Sequence, residues 1–135
     1  MAELRLCIDV DGLQRAVDFY TQALGLRVGR RRGDSWAELL GASVPIDLLA
    51  QAAGTAPLPG KGAVREYTRH WTPVHFDVVV PELEAAMARA RSAGATLERE
   101  VQNRVWGRMA NLADPFGHGF CLVELRGKGY DEVPP

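Results

Sequence analysis

The chain opens on Leu4-Arg5-Leu6-Cys7-Ile8-Asp9-Val10, where apolar and other residues alternate with period two. That alternation predicts a strand with one buried face. Directly after it, Leu13, Ala16, Val17, Tyr20, Ala23 and Leu24 recur at helical spacing. Asp11 stands where an N-cap belongs and Gly25 where a left-handed C-cap belongs. Three β-like runs follow, Arg27 to Arg32, Trp36 to Leu40 and Val44 to Ala50, separated by Gly33-Asp34 and Gly41-Ala42 turns.

Seventy residues on, the same order returns. His75-Phe76-Asp77-Val78-Val79-Val80 reads as a strand, and Pro81 stands where a first helical turn tolerates proline. Leu83, Ala86, Met87 and Ala90 repeat the helical stripe, and Gly94 closes it. Ile8, Val10, Leu13 and Val17 align without a gap onto Val78, Val80, Leu83 and Met87. Runs at Thr96 to Arg104, Arg108 to Ala113 and Gly119 to Leu125 complete the second set, with Gly107 and Asp114-Pro115-Phe116-Gly117 as turns. The predicted organisation is one α+β domain made of two β-α-β-β-β modules, residues 1–51 and 73–126. A connector rich in Ala, Gly and Pro covers 52–72, and a polar tail covers 127–135.

Composition narrows the function classes. A length of 135 residues suits a single domain, and 47% hydrophobic with 24% charged residues suits a globular one. A net charge of -1 offers no electrostatic case for nucleic acid or a membrane surface. No apolar run reaches the roughly 18 residues of a membrane span, and Met1-Ala2-Glu3 begins no secretory signal. A cytoplasmic location is therefore expected, with Cys7 and Cys121 kept reduced. Lys61 and Lys128 are the only lysines among 16 basic residues.

Two strings carry a family likeness. Val10-Asp11-Gly12-Leu13-Gln14-Arg15-Ala16-Val17-Asp18-Phe19-Tyr20, followed by Leu24-Gly25-Leu26, is one. Asp114-Pro115-Phe116-Gly117-His118-Gly119-Phe120 is the other. With the duplicated module, they make residues 3–126 resemble the vicinal oxygen chelate superfamily of glyoxalases, bleomycin-resistance proteins and extradiol dioxygenases. The resemblance implies two curled four-stranded mixed sheets, each with a helix on its outer face, paired into a barrel-like cavity. It also implies a homodimer, which a monomer by light scattering at micromolar concentration would refute.

Strand parity then separates the faces. Leu4, Leu6, Ile8, Val10, Ile46 and Leu48 are expected against the first helix, and Phe76, Val78, Val80, Phe120 and Leu122 against the second. The opposite faces carry Arg5, Cys7, Asp9, Asp47 and Leu49 in one module and His75, Asp77, Val79, Cys121 and Val123 in the other. That lining is more polar than a core.

The resemblance implies metal ligands on the first, fourth, fifth and eighth strands, which fall on Arg5, Asp47, His75 and Cys121. His75 fits that pattern, Asp47 is one methylene shorter than the usual Glu, and Cys121 is a soft donor in place of a hard oxygen. Arg5 departs from it, because a protonated guanidinium has no lone pair for a metal. Pairing of Arg5 with Asp47 is the simple alternative, either as a structural ion pair or as a clamp for a substrate anion. Bland readings stand beside the others: His75 as a hydrogen-bonded structural histidine, both cysteines as buried inert packing, and Arg30-Arg31-Arg32 as a solvated edge. Trp36, Trp71 and Trp106 either wall an apolar ligand site or fill core or interface.

Two functions follow from the resemblance. The first is a binding protein of the bleomycin-resistance kind, holding a small organic molecule through Arg5, Cys7, Asp47, Leu49, His75, Cys121, Trp36 and Trp106 without a full metal site or other cofactor. The alternative is a lyase, isomerase or dioxygenase acting on adjacent oxygens with a divalent metal on Asp47, His75 and Cys121. His75 and Asp77 are the candidate general bases for catalysis.

Overall fold

A computed structural model describes residues 1–60 and 62–135; position 61, within the connector, lies outside the described residues. The first half runs β1 (Leu6–Val10), α1 (Leu13–Leu24), β2 (Arg27–Arg32), β3 (Trp36–Leu40) and β4 (Ile46–Ala50). The second runs β5 (Phe76–Val79), α2 (Leu83–Ala93), β6 (Thr96–Arg104), β7 (Gly107–Ala113) and β8 (Gly119–Leu125), then a short 3₁₀ helix, Gly129–Glu132. Two compact units result, Met1–Thr68 and Arg69–Pro135, and their boundary falls inside the 52–72 connector. Among the described residues, no helix is long and apolar enough to cross a membrane.

Each unit holds one four-stranded mixed sheet, in the orders β1-β4-β3-β2 and β5-β8-β7-β6. The first and last strands of each module pair in parallel, Cys7 opposite Asp47 and Asp77 opposite Cys121. A parallel pair needs a long crossover, and here the helix and two hairpin strands supply it. In the first unit, Leu13, Ala16, Val17 and Tyr20 of α1 are buried together with Ile8, Val10, Leu39 and Leu48. In the second, Leu83, Ala86 and Ala90 of α2 are buried with Ala110, Leu112, Phe120 and Leu122. The stacked rings of Phe76 and Phe120, 5.7 Å apart, lie side by side on β5 and β8.

Several boundaries differ from the sequence expectation, and backbone pairing explains each. Ladder pairing begins where Leu6 N–H donates to the Pro45 carbonyl, so Leu4 lies outside the strand and is 71% exposed instead of packed on the helix. The fourth strand starts at Ile46 and not Val44, since Pro45 has no N–H to give a ladder. The first helical bond runs from Ala16 N–H to the Gly12 carbonyl, which makes Gly12 the N-cap in place of Asp11. Pro81 precedes α2 because Val80 N–H still bonds the Val123 carbonyl, and the helix starts two residues later with Glu82 as N-cap. Glu82 gives no side-chain cap; the Leu83 N–H is taken instead by Glu124 Oε2 of β8 at 2.8 Å. Gly25 closes α1 at φ +66°, the left-handed cap its place in the sequence implies.

Candidate functional site

In the first unit, the sheet face away from α1 carries a closed polar network. Cross-strand register sets Cys7, Asp47 and Glu38 in one row, with Trp36 and Leu49 paired in the next. Arg5, just ahead of β1, donates from Nε and Nη2 to the two Asp47 oxygens, both at 2.8 Å, and from Nη2 to Glu38 Oε2 at 2.6 Å. Arg30 closes the far side, donating to Glu38 at 3.0 and 2.7 Å. Trp36 Nε1 donates to Asp47 Oδ1 at 3.0 Å. Asp47 and Glu38 are both buried, and two guanidinium groups balance their two charges.

The electrostatics follow from those bonds. Hydrogen bonds from Arg30 and then Arg5 hold the Glu38 carboxyl far below the usual carboxylate range. Arg5 holds Asp47 low as well, against the opposing cost of burial. Both acids are therefore anions throughout the physiological range, and the Arg5 guanidinium is pushed further up by them. Cys7 is exposed, contrary to the packing expected of it, and its thiol lies 3.9 Å from Asp47 Oδ2. Next to this network Trp36 and Leu49 line a pocket of about 410 Å³ with Arg32, Ser35, Ala50 and Gln51. The connector is tied to the same unit by Arg65, whose Nε donates to Asp9 Oδ2 at 2.7 Å, and by Tyr67 Oη, which donates to the Gln51 carbonyl at 2.6 Å.

In the second unit, the corresponding face is built differently. The row here is Asp77, Cys121 and Asn111, with Arg99 beyond. His75 Nε2 lies 3.5 Å from Asp77 Oδ1, and both side chains are exposed. Cys121 is buried, and burial, followed by the Asp77 charge, pushes its thiol up to about 11. Asn111 works the other way, donating from Nδ2 to Cys121 Sγ at 3.1 Å, while its Oδ1 accepts from Gln102 at 2.7 Å. Trp71 meets His75 edge to face at 5.4 Å and carries Arg69 over its ring at 4.6 Å. Gly119 makes room for that pair: a Cβ there would stand 2.6 Å from Arg69 Nη2 and 2.9 Å from the Trp71 ring. A smaller pocket of about 220 Å³ is lined by Trp71, Glu98, Arg99 and Asn111.

The expected Arg5–Asp47 pair is thus present, and Trp36 and Leu49 meet at one pocket in the first unit. His75, Asp77 and Cys121 meet in the second. Val123 is fully buried, and the Trp106 ring packs on Tyr130, 5.2 Å away. In the first unit, the family ligand positions do not fit a metal ion. Arg5 brings a cation, and both Asp47 oxygens are already occupied by Arg5 and Trp36. Glu38 and Asn111 were not singled out from the sequence, although a lone acid in Trp36-Ala37-Glu38-Leu39-Leu40 signals a buried partner.

Comparison with known proteins agrees with the fold. The profile of a family described as "Glyoxalase-like domain" matches residues 5–123. The anthracycline biosynthesis protein DnrV of Streptomyces peucetius is 38% identical over 122 residues, covering 89% of this chain and 40% of that protein. The chain therefore spans about two-fifths of the length of that relative. The uncharacterized protein Mb0911c of Mycobacterium bovis is 30% identical over 129 residues, covering 92% of this chain and 84% of that one. Among solved structures, TnmS3, an antibiotic binding protein from Streptomyces sp. CB03234, superposes with a TM-score of 0.65 at 22% identity, over 93% of this chain and 97% of that one.

Proposed function

The chain belongs to the glyoxalase-like domain family, and from that premise we propose that it binds a small, flat organic molecule against Trp36, without the family's four-ligand metal set. One observation carries the proposal: the ion network positions Trp36 instead of a metal. Arg5 fixes the Asp47 carboxylate from one side, and Asp47 holds the indole N–H from the other. The ring is therefore set in one orientation before a ligand arrives, which lowers the entropic cost of stacking on it. Its pocket, about 410 Å³, lies within the usual range for small-molecule sites, roughly 300–1,000 Å³. Leu49 and Ala50 supply apolar wall, while Arg32, Ser35 and Gln51 supply donors and acceptors for hydroxyl or keto oxygens.

The name of one relative, an anthracycline biosynthesis protein, supports a ligand class. A fused-ring aromatic with peripheral oxygens matches that name and the Trp36 wall. Titration of the chelator-treated protein with an anthracycline, followed by tryptophan fluorescence, should give saturable quenching. Trp36→Ala should weaken binding roughly 30-fold, as loss of an aromatic anchor costs about 2 kcal/mol. Trp106→Ala should leave affinity unchanged, because that ring packs on Tyr130. Wild-type affinity in Trp36→Ala would refute the site.

A further inference from the structure

The pocket beside Trp36 carries one charge that nothing around it neutralises. β2 ends Arg30-Arg31-Arg32, and strand alternation sends Arg31 and Arg32 to opposite faces. Arg31 donates to Gln14 of α1 at 2.8 Å and lies 3.6 Å from Asp34 in the following turn. Arg30 is committed to Glu38, which it meets at 2.7 Å. Arg32 stands opposite Trp36 in the β2–β3 register and lines the pocket with it. Among the described residues, the Arg32 guanidinium has no ion-pair or hydrogen-bond partner.

The acids of the adjoining network do not alter that balance. Asp47 and Glu38 stand against Arg5 and Arg30, two charges against two. Of the residues that line the pocket, Arg32, Ser35, Trp36, Leu49, Ala50 and Gln51, Arg32 alone is charged. We propose that the pocket selects an aromatic acid, a flat ring against Trp36 whose carboxylate is taken by Arg32. This inference rests on ring binding at Trp36 and adds the charge of the ligand to it.

The remaining polar groups divide in the way such a ligand requires. A guanidinium presents parallel N–H donors that match the two oxygens of a carboxylate. The backbone of Gln51 is held, its N–H by the Val10 carbonyl and its carbonyl by Tyr67 Oη. Among the described residues its side-chain amide is unbonded, and it adds a neutral donor for the same anion. Ser35 is different. Its Oγ donates to the Arg32 carbonyl at 2.9 Å, so only lone pairs remain to face a ligand. Ser35 therefore suits a ring hydroxyl, and the carboxylate belongs with Arg32 and Gln51. The turn that presents Arg32 is itself fixed, because Ser35 N–H also donates to the Arg32 carbonyl and Ala50 N–H donates to the Ser35 carbonyl.

The test titrates the chelator-treated full chain with anthraquinone-2-carboxylate and with its neutral carboxamide, near neutral pH, followed by tryptophan fluorescence. The acid should bind roughly 5–10-fold more tightly than the amide. That preference should shrink as ionic strength rises from about 0.1 M to about 1 M. Arg32→Gln should bring the two affinities together by weakening the acid alone. Arg32→Lys should keep part of the preference, since the charge stays and the planar fork is lost. Arg27→Gln removes an arginine at the other end of β2 that does not line this pocket, and should keep all of it. Circular dichroism checks that each variant is folded. Equal affinities in the wild type, a preference that survives Arg32→Gln, or its loss in Arg27→Gln would overturn the inference. Failure of the ring site reads differently: neither compound binds, or Trp36→Ala leaves both affinities unchanged, and either result overturns both readings.

Discussion

The turn into β8 offers the sharpest test of the second unit's construction. Oδ1 of the buried Asp114 accepts the backbone N–H of Phe116 at 2.8 Å and that of His118 at 2.9 Å. The Asp114 N–H in turn donates to the His118 carbonyl at 2.8 Å. One carboxylate therefore satisfies two donors in a turn where Phe116 is fully buried. Hydrogen bonds to a charged acceptor contribute about 1.5–3 kcal/mol each. His118 is only half-buried, so water can replace part of its bond; Asp114→Ala should then cost about 2–4 kcal/mol. At roughly 4 °C per kcal/mol for a chain of this size, the melting temperature should fall by roughly 8–16 °C. Asp114→Asn keeps a carbonyl oxygen at the same place but loses the charge, and charge-assisted bonds are roughly twice as strong as neutral ones. About half the loss should remain. Thermal unfolding by circular dichroism, checked by urea titration with an unchanged m-value, reads both variants. An Ala variant within ~0.5 kcal/mol of wild type, or an Asn variant as unstable as Ala, would refute the hydrogen-bond reading.

Two further outcomes follow from perturbed groups. The Glu124 carboxyl is pulled from 4.5 down to about 2, first by the Leu83 N–H and then by Arg108. Its native pKa is below its unfolded one, so its stabilisation is present above about pH 4.5 and is lost as pH falls through about 2. Glu124→Gln should flatten the fall of the urea midpoint across that window; an unchanged slope would show that other acids carry it. For the thiols, a group pushed up to about 11 is ionised to about one part in a thousand at pH 8. In chelator, iodoacetamide should therefore label the exposed Cys7 in the native protein and Cys121 only after denaturation. Peptide mass spectrometry reads the order, and simultaneous labelling would contradict the burial of Cys121.

Much of the fold was legible because its signals are local and periodic. Trp36–Leu40, Thr96–Arg104 and Gly119–Leu125 begin and end where alternation and turn residues put them. Element ends are less legible, because a bond to a distant strand decides them. Leu4, Asp11 and Pro81 depart from local propensity because the Pro45 and Val123 carbonyls and the Gly12 cap set those limits. Arg69 and Trp71 were illegible as neighbours of β8. They come from the connector, where no period reveals which face a side chain takes; Arg69 is placed by Glu98 and the Gly117 carbonyl, Trp71 by His75, and Gly119 leaves room for both.

The repeat itself explains how two similar modules reach different chemistry. Register equates Arg5 with His75, Cys7 with Asp77, Asp47 with Cys121, and Glu38 with Asn111, each pair at the same place in its own sheet. Acid and thiol have traded places between the paired first and last strands of the two modules. What differs is the partner. In the first unit the position ahead of the row is a permanent cation, so its acids are neutralised within the protein and become a support for Trp36. In the second it is an imidazole, whose Nε2 stands 3.5 Å from Asp77 Oδ1. Guanidinium at one strand start and imidazole at the other thus give the acids of two matching sheet faces different partners.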